Sequence, residues 1–323
     1  MDPETRKKRL STVRQLVEHA SKMAQSGDMV GAERRLEEAM VALQPLGDDE
    51  DPERLEVAAS VHEGKGQIAL GGGQHDDAYL HLTQAVRART RHGRATGEPR
   101  LLHLGIAHLN LSSACSQLGR HEEALAENRR ALEAFDAFSP AAGGFMRLAA
   151  LQAQGMILTR LKRPDDAIAA YERAIAVGEE LQSEDVADVP ELLCQIRISA
   201  AVTCHEQGRD AQARAIGAQA VDEAWDRFEV TGADRAAHQY LTAQMNMVTF
   251  CERSGEFAGA EDALFKVLKL VGPQPEVLAR GRQLYRALLT RDDAELIAGN
   301  LPRDEVEESL AEIEAMVAQA TQA

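Results

Sequence analysis

The sequence predicts an all-α fold: a solenoid of about six helical hairpins followed by capping helices. Three observations lead there. The first is a recurrence of turns, each closed by an Ala that opens a second helix: Gly27 to Ala32, Gly73 to Ala78, Gly119 to Ala124, Lys162 to Ala167, Gly208 to Ala213 and Gly255 to Ala260. Those alanines step along the chain by 46, 46, 43, 46 and 47 residues, and self-similarity at such a period marks stacked repeats. The second is a companion set of small or short apolar residues, seven after each Ala (Ala39, Ala85, Ala131, Ala174, Ala220, Val267) and twelve before it (Ala20, Gly66, Ser112, Gly155, Ala201, Val248). Antiparallel helices approach closely only where neither carries bulk, and successive hairpins stack through the same faces. The third is composition, with only 4% aromatic residues and Trp225 the single Trp; strands are built from more Val, Ile, Tyr and Phe.

The hairpins are placed near residues 13–46, 59–92, 105–138, 148–181, 194–227 and 241–274 of one array spanning 1–274, with 275–323 as capping helices of the same continuous domain. Larger apolar residues fill the helical spacing between the small ones, such as Leu16, Met23, Leu36 and Leu43 in the first unit and Leu151, Leu158, Tyr171 and Ile175 in the fourth. Asp2 before Pro3 is a helix start, since Pro in the first turn gives up no N–H that the helix needs. Polar, Pro-containing or Gly-containing stretches at 45–52, 90–99, 139–144, 182–190, 230–234 and 272–275 read as the loops between units. Around the second of these regions Arg87, Arg89, Arg91, Arg94 and Arg100 with His92 form a basic strip, read as a solvated loop that balances neighbouring carboxylates, the alternative being a dock for an acidic partner. Near the end, a helix over 276–290 precedes one opened by Pro302, whose Val306, Leu310, Ile313, Met316 and Val317 make one apolar stripe.

The pattern resembles the tetratricopeptide repeat family over residues 13 to about 274. The fourth unit carries the likeness best, with Gly155 and Leu158 followed by Arg163-Pro164-Asp165-Asp166-Ala167-Ile168-Ala169-Ala170-Tyr171-Glu172-Arg173-Ala174-Ile175. The period is longer than the family's usual one and is similar to the long-helix repeats of kinesin light chains. The aromatic near the start of the first helix is replaced by Leu16, His62, His108, Leu151, Arg197 and Gln244. The resemblance implies a right-handed superhelix, a non-enzymatic role, and a protein or peptide partner held on the concave face lined by first helices. On that face the helical period sets Gln67, Asn110, Ser113, Gln117, Gln152, Arg160, Gln195, Ser199, His205, Asn246, Thr249 and Arg253, alongside Glu63, Glu206 and Glu252. Side-chain amides both donate and accept, so such a ladder satisfies a peptide backbone whatever its sequence. Asn110 and Asn246 sit where related repeats grip that backbone. The carboxylate clamp of chaperone-binding members is not expected, because Glu63, Leu109, Gln152 and Ile198 occupy its places.

Other chemistries find little support. His62-Glu63-Gly64-Lys65-Gly66 lacks the second His of a zinc-protease helix, and Gly71-Gly72-Gly73 lacks the Lys of a phosphate loop. Cys115, Cys204 and Cys251 fall three residues after the small site of their helices, as core positions do, and with Cys194 they form no paired motif. No cofactor or metal is expected. A net charge of −16 argues against a nucleic-acid partner, and the absence of a long apolar run argues against membrane insertion and for a cytoplasmic protein. A bacterial signalling regulator that binds a peptide or a response regulator, and a self-assembling structural subunit, are the alternatives; the Ala and Arg richness suggests a bacterial source, and the oligomeric state stays open.

Overall fold

The computed structural model describes residues 2–47, 50–98, 100–138, 143–184, 186 and 188–320. Among these it contains fifteen α-helices and no strand: α1 (Pro3–Gln25), α2 (Met29–Leu43), α3 (Pro52–Gly71), α4 (His75–Thr96), α5 (Leu101–Gln117), α6 (His121–Phe138), α7 (Gly144–Arg160), α8 (Pro164–Ser183), α9 (Val189–Glu206), α10 (Asp210–Thr231), α11 (Asp234–Ser254), α12 (Phe257–Val271), α13 (Pro275–Leu288), α14 (Asp293–Ala298) and α15 (Arg303–Ala320). The chain divides into two compact units, Met1–Arg163 and Pro164–Ala323.

The six recurring turns share one backbone solution. Gly27, Gly73, Gly119, Gly208 and Gly255 all take positive φ, and Lys162 does so at 57° without the freedom of glycine. In each, the N–H after that residue reaches back to a carbonyl in the last turn of the preceding helix: Asp28 to Met23, Gln74 to Ala69, Arg120 to Cys115, Arg163 to Leu158, Arg209 to Cys204 and Glu256 to Cys251, at 2.8–3.0 Å. This is the Schellman closure, which satisfies a carbonyl that the helix end would otherwise strand. At the starts, Asp2, Asp28, Asp51 and Asp292 accept the N–H of Thr5, Gly31, Arg54 and Glu295.

The small residues lie where close packing requires them. In the N-terminal unit Ala32, Ala39, Ala78, Ala85, Ala124 and Ala131 are fully buried. Ser112 facing Ala124 uses its hydroxyl to bond that residue's carbonyl at 2.8 Å, a contact that only a short side chain permits. In the C-terminal unit Ala167, Ala174, Ala213, Ala220 and Ala260 are likewise fully buried, with Ala201, Val248 and Val267 at 1% or less. There α13, α14 and α15 extend the core built around Phe257, Leu264, Leu278, Leu284, Tyr285 and Leu301. Val306 and Ile313 of the expected terminal stripe are fully buried, and Leu310, Met316 and Val317 pack partly buried against the same cluster.

Helix α1 begins at Pro3, where the Asp2 cap is expected to start it, and runs to Gln25. One expectation is corrected. Helix α4 runs to Thr96, where Gly97 takes φ 72°, so most of the loop expected over 90–99 is helical and the basic strip through Arg94 lies on a helix. A polar run is not a loop when an amphipathic helix can continue through it, here past Gly93. The short α14, capped by Asp292 and anchored by the fully buried Leu296, was not foreseen. Of the expected loops, Asp48, Asp49, Pro99, Ser139–Ala142, Asp185 and Ala187 lie outside the described residues.

Candidate functional site

At the place where the repeat family carries an aromatic, four hairpins instead hold a polar side chain with a partner. His62 meets His81 through their Nδ1 atoms at 3.0 Å. His108, 8% exposed, bonds the carboxylate of Glu127 at 2.6 Å, and Glu127 also binds Arg130. Burial raises the Glu127 carboxyl, but the hydrogen bond and charge of His108 with the charge of Arg130 outweigh it, and the group ends below its ordinary value. In the C-terminal unit Arg197, 4% exposed, binds both Glu223 and Glu179. Buried Gln244 donates to the Tyr240 hydroxyl. These residues replace ring packing by paired polar contacts, which hold register only while both partners stay. Their periodic spacing was visible in the sequence; their partners were not.

The N-terminal unit disperses the residues expected on its binding face. Gln67, Ser113, Gln117 and Arg160 are exposed, while Asn110 and Gln152 are half-buried. Ser113 donates back to the Leu109 carbonyl of its own helix, so its hydroxyl is not free to give to a ligand. The Asn110 amide nitrogen is buried without a hydrogen-bond partner. Glu63, expected to face outward, instead receives Arg89 of the basic strip in a two-pronged pair at 2.8–2.9 Å, with Arg89 5% exposed. A guanidinium fork and a carboxylate on facing helices of one hairpin satisfy each other before either reaches solvent. Gln67 and Glu63 line a cleft of about 750 Å³ between α1, α2 and α3, walled by Val17, Met29, Val30 and Ile68 with Gln25 and Gln74.

The C-terminal unit sorts its residues differently. His205 bonds Asp210 at 2.7 Å and packs on the Phe250 ring, while Arg253 reaches the same Asp210 and the His205 carbonyl. That cluster is satisfied internally. Ser199 donates to the Gln195 carbonyl, and Thr249 lies by Arg280, which pairs with Glu252. Gln195 is exposed. Asn246 alone lines an open cleft of about 690 Å³, where α11 supplies His238, Leu241, Thr242 and Met245, the end of α12 supplies Val267 and Val271, and α13 supplies Glu276 and Val277.

The comparisons with known proteins bear on the repeat. The family model described as tetratricopeptide repeat matches residues 104–180. The hairpins within that stretch match repeats of tetratricopeptide type. The model of a family of unknown function, DUF6483, matches residues 206–318, within the C-terminal unit. No curated protein matches the chain. Among solved structures, BtubC (BKLC) from P. vanneervenii aligns at TM-score 0.56 with 14% identity, over 81% of this chain and 89% of that one. The nearly identical TPR-like repeats of a kinesin light chain from Podosopora anserina align at 0.52 with 16% identity, over 72% and 100%. The apo form of RapI aligns at 0.57 with 10% identity, over 95% and 99%. At these identities the likeness is one of fold. Tetratricopeptide arrays generally serve as scaffolds for protein–protein interaction. Among the described residues no three His, Cys, Asp or Glu side chains gather to hold a metal, and no helix is long and apolar enough to cross a membrane.

Proposed function

We propose that this protein is a non-enzymatic adaptor that holds a peptide or helix of a partner protein, and that the α11–α13 cleft is where it does so, with 275–323 acting as the cap that also forms one wall. The observation that supports the reading is the company of Asn246. Leu241, Met245, Val271 and Val277 offer apolar walls for anchor side chains, while the carboxamide can both donate to and accept from a peptide main chain. Apolar anchors beside a few placed polar groups are what peptide recognition requires. The net charge of −16 disfavours nucleic acid as the occupant. Four free, buried cysteines suit a reducing compartment such as the cytoplasm.

A peptide selected from a displayed library against the immobilised protein tests the assignment. Its affinity should fall at least tenfold on Met245→Glu, which puts a charge on the apolar wall, and severalfold on Asn246→Ala. A selected peptide indifferent to both substitutions would refute this cleft as the site.

A further inference from the structure

A third cleft lies on the N-terminal unit and has the opposite character. Of about 570 Å³, it runs between α3 and α4 and is walled by Arg54, Arg87, Arg91 and Arg94. Its floor is small and apolar, with Ala58 and Ala88 each 8% exposed. Among the described residues no carboxylate lines it. We propose that this cleft is a second docking site and takes an acidic segment of a partner protein.

Spacing supports the choice. Arg87, Arg91 and Arg94 rise along α4 by four and then three residues, about 6 and 4.5 Å. Carboxylates four apart on a helix, or two apart on an extended chain, stand at about the same interval. Guanidinium forks bind carboxylates two-pronged, and an apolar floor lowers the local dielectric in which those pairs form. Arg87 and Arg94 are exposed and present their guanidinium groups to an incoming carboxylate, while Arg91 pairs with Glu50, itself 67% exposed, at 2.9 Å among its contacts.

The chain's overall acidity does not oppose this. Residues 1–163 carry 22 Lys and Arg against 22 Asp and Glu, whereas residues 164–323 carry 14 against 30. The excess negative charge belongs wholly to the other unit, and beyond a Debye length of about 8 Å it is screened at physiological salt.

The test is fluorescence anisotropy of a fluorescein-labelled deca-glutamate peptide with the full chain and with Arg87→Glu/Arg94→Glu, two exposed positions whose reversal leaves the circular dichroism unchanged. The wild type should bind, more weakly as salt rises, and the double reversal should lose at least tenfold, while Met245→Glu in the other unit binds as wild type does. No binding by the wild type, equal binding by the reversed variant, or loss only on Met245→Glu would overturn the proposal. So would displacement of the peptide by inorganic phosphate or an oligothymidine at lower concentration than by unlabelled deca-glutamate, which would make this a phosphate site.

Discussion

The same substitution, Gly to Ala in a helix, should have opposite signs at two places in the N-terminal unit. A Cβ added at Gly105 in α5 would stand 2.5 Å from the Phe135 ring of α6, with two more ring atoms at 2.8 and 3.0 Å. Carbon atoms rest about 3.5–4.0 Å apart, so the ring must withdraw by about 1 Å. Phe135 is 1% exposed, and a close-packed interior leaves it nowhere to go. Overpacking of this kind costs about 1–3 kcal/mol, against a gain of roughly 0.8–1.0 kcal/mol in helix propensity, for a net loss of up to about 2 kcal/mol. At Gly71, the last residue of α3, an added Cβ meets nothing within 4 Å, so Gly71→Ala should gain up to about 1 kcal/mol. Urea unfolding monitored by circular dichroism reads both, and because both sites belong to the same compact unit the same transition reports on each. Phe135→Leu combined with Gly105→Ala should cost less than the two changes summed, by at least about 0.5 kcal/mol. A Gly105→Ala variant as stable as wild type, or strictly additive with Phe135→Leu, would refute the close-approach account of the hairpins.

Three further outcomes follow from the buried polar and thiol groups. Arg197→Leu strands Glu223, whose side chain is 20% exposed, and should cost about 3 kcal/mol, read as a fall of roughly 6–12 °C in Tm; Arg197→Leu/Glu223→Leu should recover most of it, and a single variant that melts with the wild type would refute the pairing. His62 is lowered from 6.5 to about 4, so between those values the unfolded chain binds a proton that the folded one refuses, and stability falls as pH drops from about 6.5 toward about 4 by at most about 3 kcal/mol. His81, lowered by burial and Lys65, adds in the same direction, and His62→Leu should flatten this limb of a Tm-versus-pH curve; an unchanged limb would refute the assignment. Burial pushes the Cys115 and Cys194 thiols up to about 12 and raises those of Cys204 and Cys251, so a thiol reagent at neutral pH should titrate none of the four rapidly in the native protein and all four in urea.

Much of this protein follows from its sequence alone. Turn positions, the small-residue stacking sites and the terminal apolar stripe were legible because each is a local requirement repeated six times or at helical spacing: a left-handed turn wants Gly27 or Gly73, and a close helix crossing wants Ala32 or Ala78. What only the tertiary structure decided is how polar side chains are spent. Gln67 and Asn246 share one helical period with Ser113, His205 and Arg253, yet the first two reach clefts while the others are held by carbonyls or carboxylates nearby. Glu63 and Arg89, read as groove face and loop, close on each other across a hairpin. Periodicity gives the direction of a side chain about its own helix, whereas its partner, its burial and the cleft it meets depend on a second helix some twenty or more residues away, whose depth and register no single-helix pattern contains.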